Sequence, residues 1–115
     1  MAKLGYLVMQ LSECIGDAED RNNRQQAVEL WGQLERAVDQ ARNIKKPSSG
    51  TPEDIINWSE GKIYVFTLAL QQPRSTRYAT SEWRSIIERE LAQAQEDNAK
   101  WQATTSLGRW RERQS

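Results

Sequence analysis

Apolar residues recur along this chain at the three- and four-residue spacing of an amphipathic helix. In the first segment Leu4, Leu7, Val8, Leu11, Ile15 and Ala18 fall on that spacing, with Lys3, Gln10, Glu13 and Asp17 on other faces. A polar stretch from Asp17 to Arg24 follows, and its Asn22-Asn23 pair favours a turn. The second segment, Arg24 to Asn43, places Ala27, Trp31, Leu34, Val38 and Ala41 in one stripe, opposite Glu29, Gln33, Arg36 and Gln40. The run Lys45-Lys46-Pro47-Ser48-Ser49-Gly50 then breaks the pattern. Thr51-Pro52-Glu53-Asp54 predicts a new helix start, with Thr51 as N-cap, Pro52 at the first helical position and acids in the first turn.

The third segment runs from Pro52 to about Gln72. One stripe is Ile56, Ser59, Ile63, Phe66 and Leu70; another is Ile55, Trp58, Val65 and Ala69. Ile63 to Leu70 is apolar almost all round, which predicts the most buried element, and Gly61 suggests close packing against a neighbour. The run Ile63-Tyr64-Val65-Phe66-Thr67 also suits a strand. The cap and the length of the pattern favour helix, and a single strand would have no partner strand. Pro73 ends the segment, and Thr80 or Ser81 caps a fourth helix carrying Trp83, Ile87, Leu91, Ala94, Asn98 and Trp101. Apolar residues thin out after Leu91, and Gln102 to Ser115 has too few to build a core. The pattern therefore predicts an all-α protein: a four-helix bundle over residues 1–101 with an extended C-terminal arm, 102–115.

At 115 residues the chain has room for one domain. It contains no His, which excludes imidazole-based triads and His-ligated zinc, and its lone cysteine, Cys14, excludes an internal disulfide or a CxxC metal site. Cys14 lies beside Ile15 near the first stripe and reads as a small buried hydrophobe. The carboxylate clusters Asp17/Glu19/Asp20 and Glu53/Asp54 fall in a turn and at a helix start, without a nucleophile beside them. Lys46 to Gly50 is not a phosphate-binding loop. No enzymatic activity, cofactor or metal is expected. The longest apolar stretches are about eight residues, short of the ~20 that span a bilayer, so no membrane partner is expected. Gln10 and Glu13 interrupt the apolar run after Lys3, so a targeting signal is not expected either.

Formal charge is zero, with 16 Lys+Arg and 16 Asp+Glu, yet it is unevenly spread. From Lys100 on, Lys100, Arg109, Arg111 and Arg113 outweigh Glu112, a balance of +3 that leaves −3 on the first 99 residues. Trp31, Trp58 and Trp83 lie on or beside the apolar stripes and read as core. Trp101 and Trp110 lie where the pattern has faded and read as binding surface. Arg and Trp dominate protein-interface hot spots and also meet phosphates and bases. Trp101, Leu107, Arg109, Trp110, Arg111 and Arg113 are thus partner-binding candidates. Lys45, Lys46, Arg74 and Arg77 are nucleic-acid-facing candidates, if the two inter-helix connections line up.

The order of segments resembles the head-to-tail adaptor proteins (head-completion, packaged-DNA-stabilisation type) of short-tailed phages. The residues that carry the likeness are Leu4-Gly5 in the first helix and Gln26-Ala27-Val28-x-x-Trp31-x-x-Leu34 in the second. Ile56-x-Trp58 opens the central helix, and Leu68-Ala69-Leu70-Gln71-Gln72-Pro73 closes it. Tyr78 in a short connection, Thr80-Ser81-Glu82 and Ala94-Gln95-x-x-Asn98-Ala99 complete the likeness, which spans about residues 4 to 105. The resemblance implies a structural virion protein, assembled in the host cytoplasm. It would form a ring, typically of twelve copies, between the portal protein and a tail or nozzle protein. Its C-terminal arm would reach onto the portal, and DNA would pass through the channel without specific contacts. A small helical subunit of a CRISPR effector complex, binding nucleic acid through a basic face, is the alternative.

Overall fold

The computed structural model describes the backbone of residues 2–48, 51–71 and 75–114, and the side chains of residues 3–48, 51–71 and 77–104. Four long helices, α1 (Ala2–Asp20), α2 (Arg24–Asn43), α3 (Pro52–Gln71) and α5 (Ser81–Gln114), are joined by short connections, with a single turn, α4 (Ser75–Tyr78), before the last. The described residues hold no strand. The all-α four-helix bundle predicted from the periodicity is the observed fold.

Each helix end follows from local chemistry. Asn22 adopts a left-handed φ of 57°, and the N–H groups of Asn22 and Asn23 donate to the Glu19 and Ala18 carbonyls, the paired bonds of a Schellman ending. Asn23 then caps α2 by accepting the Gln26 N–H at 3.2 Å. At α3, Thr51 Oγ1 accepts the Asp54 N–H at 3.3 Å while Asp54 Oδ2 accepts the Thr51 N–H at 3.0 Å, a reciprocal capping box. Thr80 Oγ1 caps α5 through the Trp83 N–H at 3.1 Å. Because Asn22 occupies left-handed space, Asn22→Gly is expected to leave stability within a few tenths of a kcal/mol, whereas β-branched Asn22→Val costs about 1–2 kcal/mol. Urea denaturation of the two variants checks this, and equal midpoints would contradict it.

The helices run up, down, up, down. Gly5 meets Tyr64 and Glu19 meets Arg77, so α1 and α3 advance in parallel. Ile44 and Arg42 meet Trp58 and Lys62, and Ser59 meets Asn98, so α2/α3 and α3/α5 are antiparallel. Gly5 allows the close approach of α1 to α3: a Cβ there would lie 2.8 Å from the Tyr64 ring. The core is contiguous through Val8, Leu11, Ile15, Leu34, Val38, Val65, Phe66 and Ile87. The α2 stripe Ala27, Trp31, Leu34, Val38 and Ala41 is buried throughout. An aromatic cluster ties α2 to the far hairpin: Trp31 lies 6.1 Å from both Tyr78 and Trp83 between ring centroids. The Trp83 Nε1–H donates to Asp39 at 3.4 Å.

Four expectations change. Cys14 is exposed, not buried, because it sits one position off the Leu11–Ile15 stripe, facing solvent. Leu7, on the α1 stripe, is also exposed, and so is Tyr64, which means that α3 is not buried all round. Its buried face is Ile55, Ser59, Lys62, Val65, Phe66 and Ala69. Finally, of the segment expected as an extended arm, 102–115, residues 102–114 continue α5 as helix, and Ser115 lies outside the described residues. No proline interrupts it, and the bonds Gln102 to Asn98 and Thr104 to Lys100, four residues apart, carry it past the bundle.

Candidate functional site

The candidate site lies at the end of the bundle where α2 stops, α3 starts and α5 leaves. The last carbonyls of any helix lack intrahelical partners. Here α3 supplies them. Lys62 Nζ donates to the Arg42 carbonyl at 3.2 Å and Trp58 Nε1–H donates to the Ile44 carbonyl at 3.0 Å. Lys62 also lies 4.6 Å from the centroid of the Trp58 ring. A cation at this position suits the negative end of the α2 dipole and the face of an indole. Burial pushes the Lys62 ammonium below its ordinary pKa, against the opposing pull of the Glu90 and Asp97 carboxylates; Arg42 pushes the same way as burial.

Next to Trp58 in the chain, the fully buried Ser59 accepts a hydrogen bond from Asn98 Nδ2 at 2.9 Å and donates its own hydroxyl to the Ile56 carbonyl. This fixes the register of α5 against α3. Three residues on from Asn98, Trp101 is half-buried, with Lys46 Nζ 5.1 Å from its ring centroid. Trp101 was expected to present a binding surface, and Lys46 a nucleic-acid contact. In the structure the two meet each other at the base of the projecting helix.

The remaining basic candidates do not converge with them. Lys45 and Lys46 follow the C-terminus of α2, whereas Arg77 pairs with Glu19 beside the α1–α2 turn. The length of α2, about 30 Å for its 20 residues, separates them. Arg74 lies outside the described residues, as do the side chains of Leu107, Arg109, Trp110, Arg111 and Arg113, whose backbone belongs to α5.

Beside Trp58, on the outer face, α1 and α3 leave a surface groove of about 730 Å³. Tyr6, Met9, Trp58 and Tyr64 form its apolar walls, and Asp54 and Glu60 add two carboxylates. Tyr64 packs against the Gly5 backbone, and its hydroxyl lies 3.9 Å from the Met9 sulfur. Among the described residues no three Asp, Glu, Cys or His side chains come together in a way that could hold a metal ion. No helix among them is long and apolar enough to cross a membrane.

No protein-family model, no curated protein and no solved structure matches this chain. Its function is therefore argued from its own residues.

Two features of this end were not foreseen. Lys62 continues the register of Ile55, Ser59, Phe66 and Ala69, but a lysine counts as polar, so the hydropathy pattern does not mark it. The groove aromatics Tyr6 and Tyr64 lie off the apolar stripes, and that offset was the available signal.

Proposed function

We propose that this chain is a non-enzymatic structural adaptor. It acts as a ring-forming head-to-tail protein that sits between a portal and a tail or nozzle in a short-tailed phage virion. The observation that carries the reading is the projection of α5. Ser59 lies seven residues into α3 and is bonded to Asn98, so the antiparallel α5 passes the beginning of α3 at about residue 105. The helix nevertheless continues to Gln114, and the molecule measures 64 × 24 × 22 Å. A small bundle that spends its last turns outside its own core, with Arg109, Trp110, Arg111 and Arg113 in them, has the form of a docking element. The −3 balance of the first 99 residues suits a collar through which DNA slides rather than sticks. The effector-subunit alternative is weaker, because a shared basic face needs Lys45, Lys46 and Arg77 together and they occupy opposite ends.

The test is capture of portal protein from the native source by tagged chain. The full chain is expected to retain portal, and a chain ending at Thr104 is expected to lose at least about tenfold in capture while melting within a few degrees of the full chain. Undiminished capture by the truncated chain sinks the docking role. Recovery of one short RNA in place of portal replaces the adaptor reading with the effector-subunit reading.

A further inference from the structure

We propose that the groove between α1 and α3 binds the C-terminal helical segment of a second copy of this chain. The contact is that of the chain without portal, made by the same segment that the adaptor reading places on the portal; the inference rests on that reading for its biological setting, and its physical argument is separate.

The groove has the chemistry of a site for arginine and tryptophan. Tyr6 is 59% and Tyr64 48% exposed, a large aromatic area for one surface. Aromatic faces attract guanidinium groups, and Asp54 and Glu60 provide opposite charge at the same place. Among the described residues no Lys or Arg lines the groove. Lys62, beneath Trp58, is buried and bonded to the Arg42 carbonyl, and Lys46 lies over Trp101. The carboxylates disfavour phosphate, so nucleic acid is a poor occupant.

This chain itself carries the complementary segment. The +3 balance from Lys100 onward is concentrated in Arg109-Trp110-Arg111-Glu112-Arg113, against −3 on the remainder. A chain cannot place that segment in its own groove. α5 is continuous to Gln114 and passes the start of α3 at about residue 105, so residues 109–113 lie beyond the groove-bearing helix and head away from it. Only another copy can offer its segment to the groove. Donor and acceptor are different patches of the same chain, so the contact is heterologous. It either propagates to a closed ring or pairs two copies by reciprocal exchange.

The experiment uses the full chain alone, without portal, in sedimentation equilibrium and native mass spectrometry up to about 100 µM. The wild type is expected to assemble with concentration and to dissociate as salt is raised. Glu60 is exposed and takes no part in the α3 cap, so Glu60→Lys is expected to weaken assembly about tenfold or more without lowering the melting temperature by more than a few degrees. The double variant Arg109→Glu/Arg111→Glu is expected to do the same. An equimolar mixture of the two variants retains one intact groove and one intact segment per pair and is expected to recover a two-chain species. A wild type that stays monomeric, assembly unaltered by Glu60→Lys, or a mixture that recovers nothing would each overturn the proposal. Its failure is separable from that of the adaptor reading. A chain that assembles but captures no portal refutes the adaptor alone. A monomeric chain that captures portal refutes this contact alone.

Discussion

Phe66→Ala is expected to destabilise the bundle by about 3–5 kcal/mol, a large part of the roughly 5–15 kcal/mol that holds a domain of this kind together. Phe66 has no exposed surface and sits in the core cluster drawn from α1, α2, α3 and α5. Removing the ring forfeits its transfer from water and leaves a cavity that four helices would have to close at once. The half-buried Ile63, three residues earlier on the same helix, provides the comparison: Ile63→Ala is expected to cost about 1–2 kcal/mol. Urea denaturation followed by circular dichroism reads both. The pair also separates helix from strand for this β-rich run. Alternation along a strand would place Ile63 and Val65 on one face and Phe66 on the other, whereas here Val65 and Phe66 are buried together and Tyr64 between Ile63 and Val65 is exposed. A larger loss at position 63 than at position 66, as a strand with Ile63 and Val65 inward would give, would argue against the helical packing.

The second large effect is expected at Lys62. Lys62→Ala removes the donor to the Arg42 carbonyl and the cation over Trp58, and leaves a void at the junction of α2 and α3. The expected loss is about 2–3 kcal/mol. Lys62→Met keeps the stem in place and sheds the cost of burying an ammonium, so it is expected to cost under about 1 kcal/mol. The pH dependence has a definite sign. Burial holds the folded pKa below the ordinary 10.5, so between the two values the unfolded chain binds more protons than the folded one. Stability from this group therefore rises with pH through the window below 10.5. Wild-type stability relative to Lys62→Met is expected to climb as that window is crossed. A flat difference would mean that Lys62 is solvated in the folded state.

Much of this architecture was legible in the amino-acid sequence, for identifiable reasons. The α2 stripe could be read because its apolar residues fall on a single face and every one of them is buried. Thr51 with Asp54, and Thr80 before Trp83, were legible because capping depends on residues three apart. Lys62 escaped because its burial depends on a carbonyl 20 residues away, which no local pattern encodes. The meeting of Lys46 with Trp101 was equally illegible, since it follows from how far the α2–α3 connection reaches across the bundle. For the same reason, the idea of basic connections lining up did not survive an up-down-up-down arrangement, which sends successive connections to opposite ends. The helical state of 102–114 is a matter of continuation: a helix already nucleated by α5 adds residues at little cost, whereas the segment's own composition gave no reason to start one.

The pairing of neighbours in the chain has a kinetic consequence. α1 packs chiefly on α2 across a three-residue turn, and α3 on α5 across a short connection, so each hairpin closes a small loop before any distant segments need to meet. Contacts this local place the protein among the fast-folding topologies, which form on microsecond to millisecond timescales. The docking of one hairpin on the other, where Trp31 receives Tyr78 and Trp83, is expected to be the slower event. A chain whose hairpins close locally in this way is expected to leave its apolar faces uncovered only briefly during folding.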